Sequence, residues 1–177
     1  ILLFFNGLQQ IQVFLDFSRV IHPTNIRHEA SDLVLVAMGT AFEPNGPAVK
    51  FCIINDIVGV SFLGKMSHAN ILSNLLSSSV LLHTSLEESF GMVLVEAMNY
   101  GLPIVAGKSS GAVPWVVKEA GIMINLSDID EISDALEELL TNEDLYNKLS
   151  ANGKKNVADR FSLDFVAKKY MELYEKN

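Results

Sequence analysis

Short apolar runs alternate with amphipathic segments along the first two thirds of the chain. Six of these runs have the length and apolar continuity typical of buried parallel strands. They are residues 1–5, 33–38, 58–63, 79–82, 103–106 and 122–124. Between them, apolar spacing predicts helices over 8–20, 67–76 and a central segment that ends at Gly101, with shorter helices over 48–55 and 112–119. This alternation predicts a parallel sheet with right-handed crossovers.

The last third of the chain has a different pattern. From Ser127 onward, amphipathic segments follow one another without an intervening apolar run: 128–140, 142–159 and 163–174. Residue types that cap helix N-termini precede these segments and the helix at 67–76, namely Ser127, Thr141, Ser162 and Ser67. We therefore expect a single α/β domain over 1–177, with a Rossmann-like parallel sheet of about six strands, helices on both faces and extra C-terminal helices.

Composition narrows the class of protein. The 177 residues are 49% hydrophobic and 19% charged, as in a globular domain, and the net charge of −8 argues against a nucleic-acid partner. The single Cys52 excludes an internal disulfide, is expected to be buried, and fits a reducing compartment. Since no run of about 18 apolar residues occurs, we expect no bilayer-spanning segment and a cytoplasmic location. The chain begins with Ile1 rather than Met, which suggests a piece of a longer protein.

Candidate chemistry is concentrated between the fourth predicted strand and the central helix. Glu88 lies in the connecting loop and Glu96 lies in the helix; because helical side chains lean toward the N-terminus, Glu96 is expected to point back toward that loop. The helix N-terminus at Gly91 would offer backbone N–H groups to phosphate, and a carboxylate can accept from the two hydroxyls of a ribose. The alternative is ordinary: a solvated Glu88 and an exposed Glu96.

The stretch Glu88-Ser-Phe-Gly-Met-Val-Leu-Val-Glu96, followed by Ala-Met-Asn-Tyr-Gly-Leu-Pro-Ile-Val-Ala, resembles the signature of retaining group 1 glycosyltransferases. Those enzymes have the two-Rossmann-domain architecture called GT-B. Other matching pieces occur in family order, at 33–39, 60–65, 111–117 and 160–162. The resemblance spans most of residues 33–170.

The resemblance implies a role for each matching position. Glu88 would lie at the donor sugar as the catalytic residue, Glu96 would hold the ribose hydroxyls, and the backbone after Gly64 would meet the base. The expected substrate-binding residues are Glu96, Ser89, Phe90, Gly91, Met92, Val93, Gly39, Gly64 and Lys65. No cofactor or metal is implied, because the nucleotide diphosphate sugar is the donor substrate.

The resemblance also implies partners outside this chain. A sugar or lipid-linked acceptor would bind an N-terminal domain that these 177 residues lack, so the fragment alone is expected to bind nucleotide with little or no transfer. Polysaccharide biosynthesis and peripheral attachment to the inner face of the membrane are expectations for the full-length protein. A nucleotide-sugar epimerase or hydrolase, or a catalytically silent binding domain, remains an alternative.

Several positions depart from the family pattern. Asn6 stands where the family has a lysine before the glycine of the first loop, and no arginine occurs in that loop. Lys65 and Lys108 are the nearest cations that could compensate. Trp115 replaces the glutamate of the gly-gly-x-pro-glu turn, and Ser89 replaces a glycine. His83, at the end of the fourth predicted strand, is interpreted as a core or rim histidine.

Overall fold

A computed structural model describes residues 2–4, 35–39, 42–54, 56 and 59–175. Its strands form one six-stranded sheet in which every neighbouring pair is parallel. They are β1 (Leu2–Phe4), β2 (Leu35–Met38), β3 (Val60–Gly64), β4 (Leu81–His83), β5 (Ile104–Gly107) and β6 (Gly121–Ile124). Each lies within two residues of its predicted bounds. The order across the sheet is β3-β2-β1-β4-β5-β6, so the Rossmann-like sheet predicted from the alternation is confirmed.

Both faces of the sheet are covered by helices. Successive side chains of a strand point to opposite faces, and Leu81 and Ile104 pack in one buried cluster while Leu82 and Val105 pack in the other. These four residues are fully buried. In the middle of the sheet neither face meets water, and β4 and β5 accordingly consist of continuous buried residues. At the edge of the sheet, β3 exposes Ser61 and Leu63 at alternate positions.

Seven helices lie in the described ranges. They are α1 (Pro47–Ile54), α2 (His68–Leu76), α3 (Met92–Tyr100), α4 (Val113–Val117), α5 (Ile129–Thr141), α6 (Glu143–Arg160) and α7 (Leu163–Tyr174). A 3₁₀ turn, Lys118–Ala120, follows α4. Ser67 and Ser162 cap α2 and α7 through their hydroxyls, as predicted. The predicted helix over 8–20 and the first loop at Asn6 lie outside the described residues.

Two of the predicted helix caps are wrong by one residue. Asp128, not Ser127, caps α5 by accepting the N–H of Glu131, and Asn142, not Thr141, caps α6. Thr141 is instead the last residue of α5. Asp and Asn cap helices as well as Ser does and better than Thr. Where two suitable residues are adjacent, residue type alone therefore does not indicate which of them caps the helix.

The core includes Cys52, the only cysteine of the chain, on the inner side of α1. Burial raises the pKa of its thiol to about 11, which makes it a poor nucleophile at neutral pH. The prediction of a buried thiol is confirmed. Within the described ranges, every helix falls short of the length and apolarity that a bilayer crossing requires.

Candidate functional site

The order of the sheet reverses between β1 and β4, because β2 and β3 continue on one side and β5 and β6 on the other. In open parallel sheets, ligands bind beyond the carboxyl ends of the strands at such a reversal. Strand β4 ends there at His83, and the loop 84–91 leads from it into α3. The loop that carries Glu88 is therefore at the position where this fold binds ligands.

Glu88 is held in this loop by both its backbone and its side chain. Its carbonyl oxygen accepts the N–H of Ala112 at 2.9 Å, and its carboxylate, only 13% exposed, lies 3.6 Å from Nε2 of the fully buried His83. Burial lowers the pKa of His83 to about 4, although Glu88 acts in the opposite direction. The ring is therefore neutral at neutral pH, so its contact with Glu88 is not an ion pair.

Gly91 brings the Glu88 side chain against the N-terminus of α3. Its φ of 80° lies in the left-handed region, and a Cβ at this position would lie 3.2 Å from Cγ of Glu88 and 2.7 Å from Cδ1 of Leu94. The first N–H groups of the helix have no intrahelical acceptor and carry the positive end of the helix dipole. Met92 is 61% exposed whereas the Val93 side chain is buried in the core, so of Val93 only the backbone can reach a ligand.

Glu96 makes a contact that the sequence did not predict. Its carboxylate, 17% exposed, contacts a residue of the neighbouring helix, with Oε1 2.6 Å from Nε2 of His68. The expectation that it points toward the loop of Glu88 omitted this contact. Both carboxylates are nevertheless largely buried, which argues against the alternative in which a solvated Glu88 and an exposed Glu96 have no shared role.

The loops that follow β2 and β3 lie at the same edge of the sheet. The N–H of Gly39 donates to the carbonyl of Gly64 at 2.9 Å, and the N–H of Lys65 donates to Oε1 of Glu43 at 3.1 Å. The structure thus brings together three of the predicted binding residues, Gly39, Gly64 and Lys65. Glu43 was missed, because its Glu-Pro-Asn-Gly context indicates only a turn.

Ser85 is a second residue that sequence reasoning missed. It lies two residues after β4 and is fully buried, and its hydroxyl has no hydrogen-bond partner within the described ranges. Buried polar groups of this kind are uncommon in folded proteins and are candidates for a functional role. The sequence signal was weak, since a serine at the end of a strand is ordinary.

Residues 26–156 match the family of group 1 glycosyl transferases. The chain belongs to that family. It is 36% identical over 143 residues to the MMP alpha-(1->4)-mannosyltransferase of Mycolicibacterium hassiacum, a match that covers 77% of this chain and 34% of that enzyme. It is 30% identical over 138 residues to the N-acetyl-alpha-D-glucosaminyl L-malate synthase of Bacillus anthracis, covering 73% of this chain and 35% of the enzyme. The chain thus spans about a third of the length of either relative.

Several solved structures share the fold. The structure of HepE from Anabaena in complex with UDP is similar to this group 1 chain, at 20% identity and a TM-score of 0.78. The match covers 99% of this chain and 48% of the HepE chain. The C-terminal domain of the group 1 protein LpcC from Francisella tularensis matches 92% of this chain and 86% of its own, at 17% identity and a TM-score of 0.68. The fold of this glycosyl transferase chain therefore corresponds to that of an excised C-terminal domain.

The structure shows the surroundings of Lys108 and of Trp115, which replaces a glutamate of the family pattern. Lys108, proposed as a compensating cation, is engaged by Glu131, with Nζ 3.2 Å from Oε1. The Trp115 ring packs against Phe90 and Phe161, at centroid distances of 6.5 and 5.9 Å, and the guanidinium carbon of Arg160 lies 4.5 Å from its centroid. The ring of Phe90 therefore points into this aromatic cluster, so its predicted role in ligand binding can only be that of its backbone.

Proposed function

We propose that this chain is the domain that binds the nucleotide diphosphate sugar donor of a retaining glycosyltransferase. The observation that carries the proposal is the pair of largely buried carboxylates, Glu88 and Glu96, at the carboxyl edge of the sheet beside the N-terminus of α3. Burial of a carboxylate is unfavourable unless it is compensated, and hydroxyl groups of a sugar and a ribose are suitable donors. The related fold of HepE was solved with UDP and with UDP-glucose.

Each group has a distinct role in this proposal. Glu96 accepts from the ribose hydroxyls, and Glu88 lies at the donor sugar, where it stabilises positive charge that develops at the anomeric carbon. The N–H groups of Ser89, Phe90, Gly91, Met92 and Val93 bind the sugar and the diphosphate. The loops at Gly39, Gly64 and Lys65 form the wall that meets the base.

A phosphate beside two carboxylates is subject to electrostatic repulsion, which the helix N-terminus offsets in this proposal. Its dipole and its N–H groups are fixed before the reaction, so they stabilise the leaving diphosphate without reorganising. Lys65, on the exposed turn after β3, is the nearest cation that the proposal assigns to this edge. We propose that the reaction proceeds with overall retention of the anomeric configuration and without a metal ion.

The rest of the enzyme lies beyond this chain in the proposal. An N-terminal domain would bind the sugar or lipid-linked acceptor, so that transfer occurs in a cleft between two Rossmann-like halves. The chain's coverage of only a third of its relatives is consistent with such a division. We place the full-length protein in the cytoplasm, with peripheral attachment to the membrane if its acceptor is a lipid.

Calorimetric titration tests these roles. The chain is titrated with uridine, guanosine and adenosine diphosphates and with the corresponding diphosphate sugars. Glu96→Gln should weaken binding of the preferred nucleotide itself by tenfold or more, because charged hydrogen bonds contribute about 1.5–3 kcal/mol. Glu88→Gln should weaken only the sugar-bearing ligand. Equal and negligible effects of the two variants would contradict the assignment.

A catalytically silent binding domain is the second candidate, and the pairing of Lys108 with Glu131 favours it. Absence of heat with every nucleotide at millimolar concentration would support that candidate. If nucleotide binds, products formed by the intact protein distinguish transfer to an acceptor from epimerisation or hydrolysis of the donor.

A further inference from the structure

The contact between His68 and Glu96 joins the start of one helix to the interior of another. His68 is the first residue of α2, and Glu96 is the fifth residue of α3. Their Nε2 and Oε1 atoms are 2.6 Å apart. A carboxylate has only acceptor atoms, so the Nε2–H group of His68 is the donor in the hydrogen bond to Glu96. This hydrogen bond occupies one oxygen of the carboxylate and leaves Oε2 for another donor.

We propose that His68 is a positioning residue for Glu96. By binding Oε1 it fixes the carboxylate so that Oε2 faces the hydroxyls of a bound ribose, and it thereby contributes to discrimination between ribonucleotides and nucleotides that lack those hydroxyls. The inference rests on the proposed function of Glu96 as the ribose-binding residue.

Packing does not account for the position of His68. Its side chain is 68% exposed, whereas Leu75 on the same helix is fully buried in the core. A histidine this exposed fills little space in the core, and within the described ranges its side chain forms a hydrogen bond with the carboxylate of Glu96. The hydrogen bond is therefore the feature that explains a histidine at this position.

The start of α2 holds His68 in place. Ser67 precedes it with an extended backbone, and its hydroxyl accepts the N–H of Asn70 at 3.4 Å. The carbonyl of Ser67 also accepts the N–H of Ile71 at 3.0 Å. Because the capped first turn fixes the Cα of His68, only the ring torsions remain to be set by the contact with Glu96.

Orienting Glu96 in advance has a physical value for binding. A glutamate side chain loses rotamer freedom when it is ordered, and this loss opposes binding. His68 imposes that ordering in the free protein, so less of the cost falls on ligand binding. Because His68 is mostly solvent-exposed, the contact is in the range of surface pairs, and the expected effect of removing it is about threefold to fivefold in Kd.

The test compares His68→Ala, His68→Gln and Asn70→Ala in the 177-residue chain. Asn70 is a matched control, since it is exposed in the same helical turn. Its backbone N–H donates to Ser67 and its backbone carbonyl accepts from Asn74, and both bonds survive replacement of its side chain. The ligands are the nucleoside diphosphate that binds most tightly and its 2′,3′-dideoxy counterpart, titrated calorimetrically. Circular dichroism checks that each variant is folded.

The expected result is a split between ligands. His68→Ala raises Kd for the ribonucleotide about threefold to fivefold and leaves Kd for the dideoxynucleotide unchanged, while His68→Gln, whose amide nitrogen can donate to the same oxygen, stays within about twofold of the unaltered chain. Asn70→Ala changes neither value. In a Glu96→Gln background, His68→Ala has no further effect, because the group through which it acts has lost its charge.

Two results would overturn the inference alone. One is that Glu96→Gln weakens the ribonucleotide whereas His68→Ala does not. The other is that His68→Ala weakens the binding of both ligands by the same factor, which would indicate a general change at the start of α2. If the unaltered chain binds none of the three nucleoside diphosphates, the proposed function fails, and this inference fails with it.

Discussion

Gly111 supports the loop of Glu88, and replacing it should change both stability and ligand selectivity. Its φ is +58°, in the left-handed region, and a Cβ there would overlap the carbonyl oxygen of Glu88 and lie 3.2 Å from the Glu88 nitrogen. These are backbone atoms of a loop that is also held by the hydrogen bond from Ala112. Gly111→Ala therefore cannot be accommodated by moving a flexible side chain.

The size of the effect follows from three contributions. An L-residue in the left-handed region costs about 1–2 kcal/mol, overlap with fixed neighbours adds about 1–3 kcal/mol, and the stiffer unfolded chain returns about 0.4–1 kcal/mol. Gly64→Ala is a matched control for stability. Its φ is +61°, but its Cβ would meet Glu43 only at 3.4 Å. We expect losses in unfolding free energy of about 1 kcal/mol for Gly64→Ala and about 2–4 kcal/mol for Gly111→Ala.

Equilibrium unfolding in urea measures both values. Calorimetric titration of Gly111→Ala with a nucleoside diphosphate and with the corresponding diphosphate sugar then measures its affinity for each ligand. Because the substitution displaces the loop of Glu88, we expect the affinity for the sugar-bearing ligand to fall more. If Gly111→Ala destabilises the chain no more than Gly64→Ala, the close approach of Gly111 to Glu88 is wrong. If it weakens both ligands equally, Gly111 does not act through Glu88.

Two further predictions concern a buried histidine and a half-buried asparagine. The unfolding free energy should fall as the pH drops from about 6.5 to about 4, because unfolded His83 takes up a proton that the buried ring, with its pKa near 4, does not. The contribution is up to about 3 kcal/mol. Urea unfolding at several pH values should therefore show that the unfolding free energy of His83→Gln depends less steeply on pH than that of the unaltered chain. Equal dependence on pH in the two proteins would contradict the prediction. Asn156→Ala should cost about 1–3 kcal/mol, because its amide donates to the carbonyls of Val116 and Val117 at 2.9 and 3.2 Å. The exposed Asn152, which donates to one carbonyl, is the control and should lose less.

The fold was predictable because the central strands of the sheet are buried on both faces. Strand β5 is a run of apolar and small residues between Pro103 and Lys108, and all four of its residues are buried. Such strands need continuous hydrophobicity, which is visible in a single sequence. Helix boundaries were less certain where cap residues are adjacent, as at Ser127 and Asp128.

The candidate site was predictable in its parts but not in their contacts. The positions of Glu88, Gly91 and Glu96 followed from a local motif. The hydrogen bond from His68 to Glu96 joins residues 28 positions apart and depends on how α2 packs against α3, which no local pattern encodes. For the same reason, the aromatic cluster that takes up the ring of Phe90 could not be foreseen.

The left-handed Gly91 stands between Glu88 and the helix of Glu96, and this arrangement limits how the segment can change in length. Each residue added to a helix turns everything beyond it by about 100°. One insertion between Met92 and Glu96 would therefore swing the second carboxylate to another side of α3 and away from His68. Substitutions that keep the helix are tolerable here, whereas insertions and deletions are not.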